Sequence, residues 1–211
     1  MSNCKTRDLD LKNKLDSRLS NFDNIEIIFD DFLNIDILSD VSKYCYDKIF
    51  FVSNVPYYIT TAIITKLIDC GVIFNKIVLM VQNEVGLRLC SSYGSSSYNA
   101  FNVITSYFYN VNYEFFVSRL SFVPSPNVDS CVISLTPTFF NSLKSFDNFK
   151  KIVFDSFKFK RKNLKNNLKY YDLDVINRIL YKYDLNLNMR AENVPLEVFI
   201  ELSNSLFNNK K

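Results

Sequence analysis

The chain has 211 residues, 48% hydrophobic and 16% aromatic, enough for one sizeable core or one domain with a small appendage. It holds no histidine and only three glycines, which excludes histidine acid–base catalysis, Ser-His-Asp triads and most zinc hydrolase sites, and argues against a glycine-rich phosphate loop. The net charge of +3 is uneven: residues 1–140 carry 11 basic and 14 acidic side chains, whereas residues 141–211 carry 14 and 8, so a near-neutral body precedes a basic region suited to a polyanion.

Asp8 to Phe22 places Leu9, Leu11, Leu15 and Leu19 at helical spacing and predicts a short amphipathic helix. Asn24 to Phe29 alternates and is β-branched, as a strand would be, and ends in Asp30-Asp31. A carboxylate there can meet the amino group of a bound adenine or orient a cofactor, but a simple turn acid is clearly the stronger reading on these residues alone. Ile49 to Val52 reads as a buried strand, followed by Ser53-Asn54-Val55-Pro56-Tyr57-Tyr58-Ile59-Thr60 and a helix from Ala62 to about Cys70. Ligands of open α/β sheets bind where strands end and helices begin.

The chemistry of that turn is specific. Asn54 offers an amide oxygen, the neighbourhood of Pro56 offers carbonyl acceptors in fixed geometry, and Tyr57 offers a flat ring. Two acceptors can hold both hydrogens of an exocyclic amine while the ring stacks on its base. The nitrogen lone pair then faces an electrophile, and a methyl sulfonium would need no strong general base. On these residues alone, a plain X-Pro turn with a packing tyrosine is the stronger reading.

Lys76 to Val81 is a continuous apolar strand, as expected in a parallel sheet covered on both faces. Gln82-Asn83-Glu84 closes it, Val85 to Cys90 starts a helix, Ser91 to Ser97 is a polar loop, and Phe101 to Phe108 is helical. Tyr113 to Val117 and Val128 to Leu135 read as strands whose connection is too short for a crossover helix, so they pair antiparallel. Beyond Phe146 only helices are expected. Lys150 to Lys169 holds eight basic residues against Asp155 alone, interleaved with Phe154, Phe157, Phe159, Leu164 and Leu168. This predicts a helix with a basic face, and its one-sided sign favours phosphate contact over mere solubility. Two further helices span Val175 to Asn186 and Pro195 to Leu206.

Cys4, Cys45, Cys70, Cys90 and Cys131 are widely spaced, without a C-x-x-C pair, and read as reduced buried thiols of a cytoplasmic protein. No metal site is expected. No eighteen-residue apolar run and no basic-then-apolar N-terminus are present, so neither a membrane span nor a signal peptide is expected.

Five segments, in order, resemble one family: the rRNA adenine N6,N6-dimethyltransferases of the small-subunit (dimethyladenosine transferase) type, kin of the erythromycin-resistance methylases. Asn54-Val55-Pro56-Tyr57 resembles its N-L-P-Y turn, and Val81-Gln82-Asn83-Glu84-Val85 its Q-K-E-V segment. Phe122-Val123-Pro124-Ser125-Pro126-Asn127-Val128-Asp129-Ser130 resembles its F-x-P-x-P-K-V-D-S loop. Residues Phe157 to Leu168 resemble its F-x-x-R-R-K-x-L-R-N-x-L helix, and Arg190-Ala191-Glu192-Asn193 matches R-A-E-N.

The resemblance implies an α/β fold: a Rossmann-like sheet with an antiparallel edge hairpin over residues 1–140, then a small all-α rRNA-binding domain over 141–211. It implies S-adenosylmethionine as methyl donor and double methylation of two adjacent adenosines near the 3′ end of small-subunit rRNA during ribosome biogenesis. By resemblance, Asn54 and the Pro56 carbonyl hold the adenine N6 amine, and Tyr57 and Phe122 sandwich the base. Asp31 and Asn54 contact the cofactor. Lys158, Lys160, Arg161, Lys162, Lys165 and Arg190 bind RNA. The partner is small-subunit rRNA or the pre-30S particle, and the protein acts as a monomer.

Two departures stand out. The family opens with a strand, a G-x-G turn and a ribose-binding acid, and this sequence has no such opening. Arg7-Asp8-Leu9 resembles the residues just after that acid, which puts Cys4 in its place, with Asp8 as a competitor. An N-terminally incomplete catalytic domain is therefore expected, and with it an alternative function: an rRNA-binding remnant that cannot bind S-adenosylmethionine. Tyr98-Asn99-Ala100-Phe101 stands where the family reads Y-G-R-L, at the expense of an RNA or packing contact.

Overall fold

The computed structural model describes residues 2–6, 12–138 and 142–207. They form two compact units, one of Met1–Ile49 with Val55–Phe74 and the other of Phe50–Asn54 with Asn75–Lys211. The segments around Asp8 and around residue 140 lie outside the described residues.

In the first unit, strands β1 (Ser2–Thr6) and β2 (Ile25–Phe29) pair in parallel, with Cys4 opposite Ile27, across helix α1 (Lys12–Leu19). The sequence reading did not anticipate β1. Helices α2 (Ile37–Ser42) and α3 (Thr60–Asp69) follow. Asp36 caps α2 by accepting from the Ser39 N–H at 3.1 Å. Ile63, Ile64 and Leu67 bury one face of α3 at helical spacing.

In the second unit, β3 (Phe50–Asn54), β4 (Lys76–Gln82), β5 (Tyr109–Val117) and β6 (Ser130–Pro137) form one mixed sheet in the order β3-β4-β6-β5. β3 and β4 run parallel, and β6 is antiparallel to both β4 and β5, as the sequence predicts for the hairpin. Helices α4 (Asn83–Leu89) and α5 (Ala100–Phe108) lie against β5 and β6. One sheet face is sealed by Ile77, Leu79, Val81, Cys131, Ile133 and Leu135. The other face is half open, and on β3 the side chains of Phe50 and Val52 are 60% and 75% exposed. The expectation that Lys76–Val81 is covered on both faces is therefore corrected: Ile77, Leu79 and Val81 are buried on one face, whereas Lys76, Val78 and Met80 on the other are only half-buried.

Gly86 fixes how closely α4 lies on the sheet. A Cβ there would sit 2.1 Å from the Cys131 Sγ and 3.3 Å from the Ile133 Cγ2. The Cys131 thiol is fully buried, and burial pushes its pKa up to about 11, so it stays protonated and inert. Gly86→Ala should cost about 1–3 kcal/mol through overpacking, although alanine favours the helix by about 1 kcal/mol. Adding Cys131→Ala should return part of that loss. Urea titrations of the two single variants and the double variant check this, and strictly additive effects would speak against the contact. Cys45, Cys70, Cys90 and Cys131 are unbridged; of these four Cys131 is buried, Cys70 and Cys90 are half-buried and Cys45 is exposed, which corrects the expectation of buried thiols for three of them.

Helices α6 (Phe146–Phe157), α7 (Leu164–Asn167), α8 (Leu173–Tyr181) and α9 (Leu196–Leu206) follow. Phe149, Ile152 and Val153 of α6, Ile176 and Leu180 of α8, and Val198, Phe199 and Leu202 of α9 are buried. Ser145 caps α6 and Asp172 caps α8. The predicted continuous basic helix is corrected: α6 stops at Phe157, a loop covers Lys158–Asn163, and α7 resumes for a single turn.

Candidate active site and nucleic-acid interface

Asn54 is the last residue of β3, not a turn residue, and lies opposite Met80 of β4. Its side chain is exposed and makes no hydrogen bond among the described residues. An exposed, unbound amide at the carboxyl end of a parallel strand can accept from a ligand's N–H.

The same end of this sheet carries the β5–β6 loop, because Gln82 of β4 and Val117 of β5 both pair with Ser130. Phe122 sits in that loop, half-buried, directly after a 3₁₀ turn over Arg119–Ser121. The loop is stitched together from within. The Arg119 N–H donates to the Asp129 Oδ1 at 2.9 Å, the Ser125 hydroxyl to the Arg119 carbonyl at 2.9 Å, and the Phe122 N–H to the same carbonyl at 3.3 Å. The Asn83 N–H donates to the Asp129 carbonyl at 3.0 Å, and the Tyr113 hydroxyl to the Asn83 Oδ1 at 2.9 Å. Asn54 and Phe122 therefore share one end of the four-stranded sheet, and the Q-N-E segment anchors the loop that holds the ring.

The remaining turn residues belong to the first unit. Pro56 is exposed and caps the 3₁₀ turn Tyr57–Ile59. Its carbonyl accepts from the Ile59 N–H at 3.1 Å, which aims the group and leaves one of two lone pairs for a second donor. Tyr57 is half-buried, and its own carbonyl accepts from the Thr60 hydroxyl at 3.3 Å. Asp31 follows β2 and caps the 3₁₀ turn Phe32–Asn34, its Oδ1 accepting from the Leu33 N–H at 3.0 Å. The Lys66 ammonium of α3 donates to the Leu33 carbonyl at 2.7 Å, which holds that turn on the helix.

The basic cluster is a loop surface. Lys158, Lys160, Arg161, Lys162, Lys165 and Lys169 are all exposed, and none forms an ion pair among the described residues. Some exposed cations elsewhere do find acids, as Arg88 does with Glu84 at 2.6 Å and Lys43 with Asp40 at 2.8 Å. Arg190 differs from the cluster, lying 3.8 Å from Glu192. The start of α7, directly after the loop, is tied to the chain before Arg190: the Leu164 N–H donates to the Met189 carbonyl at 2.8 Å and the Lys165 N–H to the Leu187 carbonyl at 3.0 Å. Six exposed cations without an ion pair or a neighbouring acid give this surface a one-signed charge that suits phosphates.

A family model described as ribosomal RNA adenine dimethylase matches residues 7–208. The chain belongs to this family. The "Ribosomal RNA small subunit methyltransferase A" of Mycoplasma mycoides is 37% identical over 194 residues, covering 87% of this chain and 71% of its own. The protein of that name from aster yellows witches'-broom phytoplasma is 40% identical over 194 residues, covering 87% and 70%. Two solved structures share the fold at 22% identity. A dimethyladenosine transferase from Plasmodium falciparum has a TM-score of 0.78, covering 95% of this chain and 79% of its own. The 23S rRNA methyltransferase ErmE has a TM-score of 0.74, covering 97% and 81%. This dimethylase is thus a methyltransferase with a Rossmann-like α/β body and a helical C-terminal region.

Sequence reasoning missed the Asn167 side chain, whose amide donates to the Ser156 carbonyl at 2.6 Å and the Phe159 carbonyl at 3.3 Å, while its oxygen accepts from the Phe159 N–H at 3.2 Å. It lies within the recognised motif, but only tertiary contacts reveal its role. The departure at Tyr98–Phe101 serves packing: Tyr98 is 5% exposed and meets Phe157 edge-on at 6.1 Å, Asn99 caps α5, and Ala100 is buried. Among the described residues no group of three or more histidine, cysteine or acidic side chains could hold a metal, and no helix is long and apolar enough to cross a membrane.

Proposed function

We propose that this dimethylase transfers methyl groups from S-adenosylmethionine to the N6 amines of two adjacent adenosines near the 3′ end of small-subunit rRNA, acting as a cytoplasmic monomer on the pre-30S particle. The observation that carries the reading is the Asn54 amide, exposed and without a hydrogen-bond partner at the end of β3, inside the segment that resembles the family's catalytic turn. Asn54 accepts one amine hydrogen and the second lone pair of the Pro56 carbonyl accepts the other. Tyr57 and Phe122 supply rings for the adenine, which must leave any base stack to be reached. Stacking of this kind contributes roughly 1–3 kcal/mol per base.

The cofactor, when bound, supplies an electrophilic methyl. Asp31 fits its adenine end as a carboxylate fixed at a strand terminus, and Asn54 lies at the corresponding end of its own sheet. The amine proton leaves after transfer, so no side-chain base of high basicity is required. Residues 141–211 form the rRNA-binding domain, with Lys158, Lys160, Arg161, Lys162, Lys165 and Arg190 on phosphates.

One observation favours the competing reading, an rRNA-binding protein without methyl transfer. Gly71 follows α3, Gly86 lies within α4 and Gly94 lies in a loop after it, so none of the three glycines forms a strand-to-helix turn for the methionine end of the cofactor. Titration calorimetry with S-adenosylmethionine separates the two. Binding at micromolar to millimolar concentration, with labelled methyl transfer to undermethylated small subunits, is the expected result. No heat at millimolar cofactor alongside intact RNA binding would select the competing reading.

A further inference from the structure

Phe159 sits in the middle of the basic loop and is 56% exposed. The loop has no glycine or proline to excuse an apolar side chain there, and Phe159 takes no part in the buried core that Phe157 and Leu164 join on either side of it. Its backbone is unusually well held for a loop. Both its N–H and its carbonyl bond to the single side chain of Asn167, and the carbonyl also accepts from the Lys162 N–H at 2.9 Å. Asn167 follows Leu164 and precedes Leu168, both fully buried, so the clamp is anchored in the core. The Lys158 ammonium lies 5.8 Å from the ring centroid. The result is an aromatic ring presented to solvent from a fixed backbone, amid six cations and no acid between Ser156 and Tyr171.

We propose that Phe159 is a stacking platform for an unpaired RNA base, with Lys158, Lys160, Arg161 and Lys162 on the phosphates to either side. The inference rests on the RNA-binding reading above and narrows it to single-stranded or splayed nucleotides on this surface. Paired bases present no free face to such a ring, whereas unpaired bases stack on exposed aromatic side chains beside basic residues. The surrounding charge selects a polyanion over an apolar protein partner. Asn167 is a positioning residue that keeps the ring in place.

The chain contains no tryptophan, so Phe159→Trp introduces a unique fluorophore at the platform. A ten-nucleotide oligoadenylate should quench its emission, and a blunt RNA duplex of equal length should leave it unchanged. In the otherwise native chain, Phe159→Leu should weaken oligoadenylate binding about 5- to 150-fold, keep the slope of affinity against salt, and leave duplex affinity unaltered. Circular dichroism checks that both variants are folded. Equal quenching by duplex, or an emission shift with phosphatidylcholine vesicles and none with RNA, assigns the ring to another partner and overturns the proposal. Steeply salt-dependent oligoadenylate binding that Phe159→Leu leaves intact removes the stacking role and spares the RNA-binding reading. Absence of binding to either RNA overturns both.

Discussion

Replacing Asn54 with alanine lowers the rate of methyl transfer by about 100- to 1,000-fold, the scale for removing one preoriented polar group from a reacting centre, and leaves RNA affinity within about twofold. The side chain is exposed at the end of β3 and holds no hydrogen bond in the fold, so its truncation opens no cavity and orphans no buried donor. On the proposed function, what disappears is one acceptor for the adenine amine. The other proposed acceptor, the Pro56 carbonyl, belongs to the backbone, already accepts from the Ile59 N–H, and survives the substitution. A single acceptor leaves the amine free to rotate its lone pair away from the methyl donor. The loss should therefore fall on kcat more than on KM. Single-turnover transfer of labelled methyl groups, with filter binding of the same RNA, measures both quantities. A parallel fall in RNA affinity would mean that Asn54 binds rather than orients.

The complementary substitution changes Lys160, Arg161 and Lys162 together to alanine. RNA affinity should fall on the order of 100-fold at low salt, and the slope of log affinity against log salt should flatten by about two to three units, roughly 0.7–0.9 for each lost phosphate contact. All three side chains are exposed and without ion pairs, so little stability depends on them. Transfer at saturating RNA should persist, with the deficit appearing in KM. Arg190, which lies 3.8 Å from Glu192, should matter less when changed alone, because part of its charge is already answered. A triple variant with an undiminished salt slope would remove this surface from the interface.

The strands of the body and its antiparallel hairpin were legible because their signals are local; the order β3-β4-β6-β5 was not. Ile77, Leu79 and Val81 alternate with half-buried neighbours, and the loop between β5 and β6 is too short for any connection but a hairpin. The four residues from Asn54 to Tyr57 did not announce chemistry by themselves, since a plain X-Pro turn explains them; only the resemblance of five ordered segments to one family singled them out. Strand β1 was not, because Ser2–Thr6 carries no apolar alternation and is defined by its ladder with β2. The break after Phe157 was also hidden. Periodicity runs on through Lys158–Lys162, and no glycine or proline interrupts it. The chain turns there because Asn167 takes up the Ser156 and Phe159 carbonyls and Asn163 caps a new helix, contacts between residues whose types alone announce nothing. Sequence reasoning thus found which residues carry charge and missed the scaffold that displays them.

Strand β3 carries a consequence for handling the protein. Its outer border meets no neighbour within its sheet, and bulky apolar groups at Phe50 and Val52 stand beside that border in water. Apolar side chains left in water at a sheet border invite association between copies. Concentrated stocks of this chain will therefore tend to cluster through β3, and dilute, cold preparations supplemented with a mild detergent will keep the enzyme dispersed.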